Sequence, residues 1–107
     1  MSIKVEAADL PRALDDYDYA FLVAQGRERP HVLAVRVTPS PTRTGALVVS
    51  RAGGTATGIV ADRPAVTLVF PSRDPAGRSL IVDGEVVATG EGTLTVEPTG
   101  AVLHRPA

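Results

Sequence analysis

A glycine-bearing junction near the middle of the chain is the segment best suited to bind an anion. It reads Ser50-Arg51-Ala52-Gly53-Gly54-Thr55-Ala56-Thr57 and runs from the end of an apolar strand into a short predicted helix. Free backbone amides and the positive end of the helix dipole favour a bound anion at such a junction. Arg51 would add a positive charge, and Ser50, Thr55 and Thr57 would add hydroxyl donors. The same pattern is also typical of an ordinary glycine turn followed by a threonine N-cap, so both interpretations stay open.

The remaining reactive residues do not form a catalytic or metal centre by their spacing. His31 and His104 are far apart in sequence and lack the spacing of metal ligands, so we expect no metal site. No Gly-x-Ser-x-Gly motif marks a nucleophilic serine. Asp15, Asp16 and Asp18 follow a short helix, where a solvated acidic corner is the simplest interpretation. The catalytic residues, if the protein is an enzyme, are therefore left unassigned.

Composition excludes several classes of protein. A chain of 107 residues with 44% hydrophobic and 21% charged residues fits one folded domain, residues 1–107. Eleven Lys and Arg against twelve Asp and Glu give a net charge of −1, and only two Tyr and two Phe are present, which disfavours nucleic-acid binding. The chain has no cysteine, no apolar run of the ~20 residues that a membrane span needs, and no apolar signal core. We therefore expect a soluble, cytoplasmic protein without membrane or nucleic-acid partners.

Short apolar segments alternate with turns rich in glycine and proline, which predicts a mostly β protein. The six predicted strands cover residues 19–24, 31–37, 46–50, 65–70, 79–89 and 93–97. The predicted helical pieces are 10–16 after an Asp9 cap, 55–62 before Pro64, and 101–103 after a Thr99 cap. The pair Asp83-Gly84 inside the fifth strand predicts a bulge or sharp bend of the kind that lets a sheet curl into a barrel.

The strand pattern favours an antiparallel barrel with an up-and-down order of strands over a parallel α/β sheet. Several strands are apolar on both faces, as in Leu80-Ile81-Val82 and Val86-Val87-Ala88. Such strands need a cover on each side, and the predicted helices are too short to provide the second cover everywhere. A second copy of the chain would supply it, so we expect a homodimer.

The order of these elements resembles the pyridoxamine 5′-phosphate oxidase-like split-barrel superfamily of flavin and deazaflavin binders. The resemblance covers residues 10 to 90, and the order of the stretches is more specific than any one of them. The matching stretches are Ala20-Phe21-Leu22-Val23-Ala24, Arg29-Pro30-His31-Val32, Gly45-Ala46-Leu47-Val48-Val49-Ser50, Asp62-Arg63-Pro64-Ala65-Val66-Thr67-Leu68 and Ser79-Leu80-Ile81-Val82-Asp83-Gly84-Glu85-Val86.

The resemblance implies a six-stranded split barrel of the FMN-binding type that forms a homodimer with cofactor sites between the subunits. In this superfamily the ribityl phosphate is bound by the second strand, by the end of the third and by the helix that follows it. Those positions correspond here to the strand from His31 to Arg36, with Arg36 as a second cation, to Ser50 and Arg51, and to Thr55 and Thr57. The implied cofactor is FMN or a deazaflavin, and the implied activity is that of an oxidoreductase that transfers a hydride at the flavin ring, with a small molecule as substrate.

One stretch departs from the superfamily's pattern. The helix after the third strand reads Ala56-Thr57-Gly58-Ile59-Val60-Ala61, whereas flavin-binding relatives usually have Lys or Arg and often Asn there. Each lost bond to a charged group would weaken phosphate binding by about 1.5–3 kcal/mol. The alternative hypothesis is therefore a cofactor-free, degenerate split barrel that acts as a dimeric binding or scaffolding module. A yellow colour of the purified protein would exclude it.

Overall fold

The computed structural model describes residues 2–106, so Met1 and Ala107, the two ends of the predicted domain, lie outside the described residues. Short 3-10 turns, Ala7–Asp9 and Leu14–Asp16, flank the first helix. The strands and helices in chain order are β1 (Ser2–Lys4), α1 (Leu10–Ala13), β2 (Ala20–Ala24), β3 (His31–Pro39), β4 (Leu47–Ser50), α2 (Gly53–Asp62), β5 (Ala65–Phe70), β6 (Ser79–Gly90) and β7 (Thr93–His104). Within residues 2–106, no helix has the length and apolar character needed to span a membrane.

Six antiparallel strands close into a barrel. The order around the ring is β7, β4, β3, β2, β5 and β6, and β6 pairs again with β7 along its whole length. The short β1 adds to the outer edge of β7, where Ile3 faces Leu103. The predicted fold class, a mostly β protein built on a six-stranded antiparallel split barrel with short helices, is confirmed.

The order of strands around the barrel differs from the expected up-and-down order. Two of the neighbouring pairs join strands that are not consecutive in sequence: β2 pairs with β5 through Leu22 and Leu68, and β4 pairs with β7 through Val49 and Leu94. The alternation of apolar and polar residues determines which face of a strand is buried, but it does not determine which strand lies beside it. The up-and-down prediction was wrong for this reason.

The core lies inside the barrel and is built from alternate residues of each strand. In β2, for example, Leu22 is fully buried while Phe21 and Val23 lie half-buried on the outer face. Burying a leucine or valine side chain completely stabilises the fold by about 1.5–3 kcal/mol. Eight large barrel side chains are completely buried: Leu22, Leu47, Leu68, Leu80, Leu94, Val49, Val82 and Val96.

A bulge bends the long β6–β7 ladder at the position that the sequence indicates. The register shifts between Asp83 and Gly84, which leaves Thr99 of β7 without a partner on β6. A Cβ atom on Gly84 would lie 2.6 Å from Val96 Cγ1 and 2.7 Å from the carbonyl oxygen of Glu97. The predicted bulge is confirmed, and its glycine is required because the two strands cross too closely for a larger residue.

The helical turn predicted after Thr99 is absent, because β7 continues as a strand to His104. Thr99 is the bulged residue and not a helix cap. Ala101 is buried, and its carbonyl oxygen accepts a hydrogen bond from the Val5 N–H at 2.9 Å. An isolated helical turn gains few hydrogen bonds, whereas a strand between β6 and β1 pairs its backbone on both sides. The helix prediction was wrong for that reason.

The two helices close the barrel with small and apolar side chains. The first helical segment begins with a turn at Ala7, so Asp9 is already helical, and its side chain makes no capping hydrogen bond, contrary to the prediction. Helix α2 buries Ala56 and Val60 against the core and ends before Pro64, as predicted. Because α2 follows β4 directly, it places the predicted anion-binding junction at the rim of the barrel.

Candidate functional site

The predicted residues Arg36, Ser50 and Arg51 come together on the outer face of the barrel. Arg36 pairs directly with Ser50 across the β3–β4 ladder. Val49, one residue before Ser50, is buried in the core, so Ser50 faces outwards. Arg51 follows at the end of β4. The pairing of β3 with β4 therefore places two arginines, separated by fourteen residues in sequence, at one position on the surface.

Arg36 and Arg51 line an open cavity of about 360 Å³. Its wall also contains three residues without charge, Tyr19, Ala34 and Val35. A cavity of this size is within the range of small-molecule sites, which are mostly apolar with a few polar groups that orient the ligand. The complete set of lining residues is Asp18, Tyr19, Ala34, Val35, Arg36 and Arg51.

The backbone of Arg51 adopts an unusual conformation. Among residues 2–106, it is the one non-glycine residue with a positive φ, 66°. This left-handed conformation costs about 1–2 kcal/mol for a residue with a side chain. Its guanidinium makes no hydrogen bond or ion pair with any other residue of this range. A strained, exposed arginine without a protein partner is typical of a functional position.

The backbone amides at the start of α2 are not all free, contrary to the prediction. The N–H groups of Arg51 and Ala52 donate to the carbonyl oxygen of Gly92, at 3.0 and 3.4 Å. The β6–β7 turn therefore occupies two amides of the predicted junction, both of which precede the first residue of α2. The positive contribution to the cavity comes instead from the arginine side chains.

The two threonines of the predicted junction lie outside the cavity. Thr55 is exposed on the first turn of α2, and Thr57 donates its hydroxyl to the carbonyl oxygen of Gly53 at 2.8 Å. The N-cap of the helix is Ala52, which has no side-chain oxygen, so the interpretation with a threonine cap is wrong. Neither threonine contributes to the cavity wall.

The cavity carries a net positive charge because it is lined by two arginines and one carboxylate, and that carboxylate is also paired from outside. Arg73 binds Asp18 Oδ1 through Nη2 at 2.8 Å and through Nε at 3.0 Å. This hydrogen bond, together with the positive charges of Arg73 and Arg36, lowers the pKa of Asp18 below its ordinary value of 3.8. Arg36 also donates to the backbone carbonyl oxygen of Asp18 at 3.1 Å, which fixes its guanidinium at the rim. Arg36 and Arg51 therefore leave the site attractive to anions.

Two residues that line this cavity, Asp18 and Tyr19, were missed by reasoning from sequence. Asp18 was interpreted as part of a solvated acidic corner, but its carboxylate pairs with Arg73, 55 residues away. Tyr19 is 39% exposed and packs edge-on against Phe21, with ring centroids 5.4 Å apart. An exposed aromatic residue beside a polar pair is the one signal that could have indicated this position.

The histidines do not take part in the cavity. His104 lies at the end of β7, where its Nδ1 is 3.0 Å from Ser2 Oγ, and His31 begins β3. Among the residues that the structure describes, no group of three His, Cys, Asp or Glu side chains could hold a metal ion.

Comparison of the sequence finds two mycobacterial relatives. The uncharacterized proteins Mb0449c of Mycobacterium bovis and MT0457 of Mycobacterium tuberculosis are each 37% identical to the chain over a 117-residue alignment. Each alignment covers 97% of this chain and 82% of the relative. No family model matches the sequence.

Comparison of the structure finds similar folds among solved proteins. The FAD-binding protein from Mycobacterium smegmatis matches with a TM-score of 0.66 and 15% identity, over 98% of this chain and 100% of that one. A putative 5-nitroimidazole antibiotic resistance protein from Bacteroides thetaiotaomicron matches with a TM-score of 0.61 and 12% identity, over 96% and 88% of the two chains. At these identities the similarity shows the fold, which is of the split-barrel type.

Proposed function

Because the chain belongs to the family of the mycobacterial proteins Mb0449c and MT0457, we propose that it and they share one function, the binding of a flavin nucleotide. The ligand's phosphate would bind to Arg36 and Arg51. The observation that carries the proposal is that these two arginines line one cavity, with Arg51 held in a strained conformation and its guanidinium without a partner in residues 2–106. The fold supports it, since a solved protein of similar fold is described as FAD-binding.

The cavity wall suits the two parts of a flavin nucleotide. A phosphate dianion is well matched by two guanidinium groups, which offer several donors and positive charge. Tyr19 and Ala34 provide an apolar surface for a planar ring. We propose FMN, or a deazaflavin with the same phosphate, as the ligand, and with it membership of the pyridoxamine 5′-phosphate oxidase-like superfamily.

A second copy of the chain would complete the cavity. The outer face of the sheet presents a row of apolar side chains at matched registers: Ala34 faces Phe21, Phe21 faces Val69, and Val69 faces Ile81. Val32 extends this face and is 54% exposed. A contiguous apolar surface on a sheet typically marks an interface. Since Ala34 belongs both to this row and to the cavity wall, a homodimer formed through the row would cover the ligand from the other side.

An oxidoreductase would follow from the chemistry of the bound flavin, which accepts or donates a hydride at its ring. The residues of this chain would bind the phosphate through Arg36 and Arg51, support the ring at Tyr19 and Ala34, and exclude water through the dimer. A small-molecule substrate would approach the uncovered side of the ring. The cytoplasm, where reduced nucleotides are available, is the compartment that we propose.

The proposal is tested by the absorbance spectrum of the freshly purified protein and by titration with riboflavin 5′-phosphate and with a deazaflavin. We expect saturable binding that Arg51→Ala weakens by roughly tenfold or more, because a bond to a charged group is lost. Arg27→Ala, which removes an exposed arginine from the β2–β3 turn, is the matched control and should bind as the wild type does. If neither flavin changes fluorescence or thermal stability, the proposed function is wrong.

Two observations favour a second function, a cofactor-free binding or scaffolding module. The amides of Arg51 and Ala52 are occupied by Gly92, and α2 contains no Lys or Arg between Gly53 and Asp62. A split barrel with this loss could retain its dimer while it no longer binds a flavin. The same titration decides between the two functions, because a dimer that binds no flavin would support the module.

A further inference from the structure

The loop between β5 and β6, residues 71–78, brings a third arginine to the rim of the cavity. Two nitrogens of Arg73 approach one oxygen of Asp18: Nη2 at 2.8 Å and Nε at 3.0 Å. Both side chains are more than half exposed, so the pair contributes little to the stability of the fold. Its position is the informative feature, because Asp18 is the one acidic residue that lines the cavity with Arg36 and Arg51.

The loop is organised so that Arg73 is directed to Asp18 and not to the acid beside it. Asp74 Oδ1 accepts the Ala76 N–H at 2.9 Å, and the Asp74 N–H donates to Ser72 Oγ at 3.2 Å. The neighbouring carboxylate is thus used within the loop. Tyr17 ties down the loop's end by donating its hydroxyl to the carbonyl oxygen of Arg78 at 2.8 Å.

We infer that Arg73 is a positioning residue for anion recognition, since it holds the Asp18 carboxylate and so prevents its negative charge from offsetting the attraction of Arg36 and Arg51 for a dianionic ligand. The inference rests on the proposed function and extends it from the residues that touch the phosphate to one that acts through Asp18. Without Arg73, the unpaired carboxylate would repel the same phosphate that Arg36 and Arg51 attract. Arg73 itself need not contact the ligand.

A comparison of the wild type with Arg73→Gln, Asp18→Asn and the double variant separates an effect of charge on ligand affinity from an effect of altered loop structure. The Asp18 and Arg73 side chains together contribute no net charge in the wild type, a negative charge in Arg73→Gln, a positive charge in Asp18→Asn, and none in the double variant. We therefore expect the affinity for riboflavin 5′-phosphate to be highest in Asp18→Asn, similar in the wild type and the double variant, and lowest in Arg73→Gln. Each step should be roughly three- to tenfold at low ionic strength and should shrink as salt is added.

Riboflavin, which has the same ring and no phosphate, is the second probe. Arg73→Gln should lower the ratio of the riboflavin 5′-phosphate affinity to the riboflavin affinity, because the repulsion acts on the phosphate. A loop that merely lost its structure would weaken both ligands together and leave the ratio unchanged, and that result would overturn the inference. It would also be overturned if the double variant bound as weakly as Arg73→Gln. If the wild type binds neither flavin, the proposed function fails and the inference fails with it. If the wild type binds riboflavin 5′-phosphate and Arg73→Gln binds it with the same affinity, only the inference fails.

Discussion

The backbone N–H of Arg51 donates to the carbonyl oxygen of Gly92 at 3.0 Å, so the tip of the β6–β7 hairpin is attached to the end of β4. At this attachment Arg51 has a φ of 66°, a conformation that glycine adopts without steric cost. The protein therefore keeps an arginine where a glycine would fit more easily. The strain of its backbone and the charge of its side chain are separable properties, and substitutions can test them independently.

Arg51→Gly should stabilise the fold relative to Arg51→Ala, while both should bind flavin phosphate equally weakly. Glycine relieves the left-handed strain, and alanine keeps it, so the free energy of unfolding should differ by about 1 kcal/mol in favour of glycine. Urea denaturation measures the stability, and titration with riboflavin 5′-phosphate measures the affinity. Should Arg51→Gly prove the less stable of the two, the left-handed backbone at this position would be disproved.

The crossing of β6 and β7 at Gly84 predicts a sharp intolerance of larger residues. In Gly84→Ala the new methyl group would lie 2.6 Å from Val96 Cγ1 and 2.7 Å from the carbonyl oxygen of Glu97. We expect a loss of about 1–3 kcal/mol in the free energy of unfolding, as for other overpacked sites. Gly58→Ala is the matched control, because a Cβ there meets nothing within 4 Å and lies inside α2. Alanine should stabilise that helix by up to ~1 kcal/mol, so the two substitutions should change urea denaturation in opposite directions.

Local patterns in the sequence predicted the strands and helices well where the residue types favoured one element and clear breaking residues marked its ends. The strand expected at 65–70 is observed as Ala65–Phe70, because the segment between two prolines contains three β-branched residues, Val66, Thr67 and Val69. The bulge at Asp83-Gly84 also followed from a local signal. Thr99 was misinterpreted because a threonine beside small residues fits either a helix start or a bulge, and the choice depends on the adjacent strands.

The candidate site was only partly predictable, because its residues come from distant parts of the chain. Arg36 and Arg51 could be proposed from a resemblance, but their meeting in one cavity depends on the β3–β4 register. The pairing of Asp18 with Arg73 spans 55 residues and leaves no local pattern in the sequence. Contacts of this kind depend on the order of strands around the barrel, which alternation alone does not determine.

The raised pKa of the Tyr17 hydroxyl predicts that the folded protein loses stability at alkaline pH. Desolvation by burial, with a contribution from the negative charge of Asp16, raises the pKa of Tyr17 above its ordinary value of 10.0. The folded protein therefore holds this proton more tightly than the unfolded chain does. The resulting stabilisation is complete below pH 10 and is lost as the pH rises through the higher pKa of the folded state.

Tyr17→Phe should remove this dependence. At pH 8 the variant should be less stable than the wild type by about 0.5–1.5 kcal/mol, because the hydrogen bond to the Arg78 carbonyl oxygen is lost. The ring should keep its contact with Phe70, at a centroid distance of 5.9 Å. Urea denaturation of both proteins at pH 8 and above pH 10 measures the difference, which should shrink at the higher pH. A difference that stayed constant would mean that the hydroxyl titrates alike in the folded and unfolded states.

The apolar row on the outer face of the barrel predicts that a single charge will separate the proposed dimer. Val32 is 54% exposed and faces Val23 on β2, so Val32→Asp would place a carboxylate within the interface and leave the core untouched. We expect the wild type to have the mass of a dimer in light scattering and Val32→Asp to have that of a monomer, with weaker flavin binding because the cavity loses its cover. Val87→Asp is the matched control, because Val87 is 42% exposed but lies at a bulge of β6 outside the row. A monomeric wild type, or a Val32→Asp variant that remained dimeric, would show that this face is not the interface.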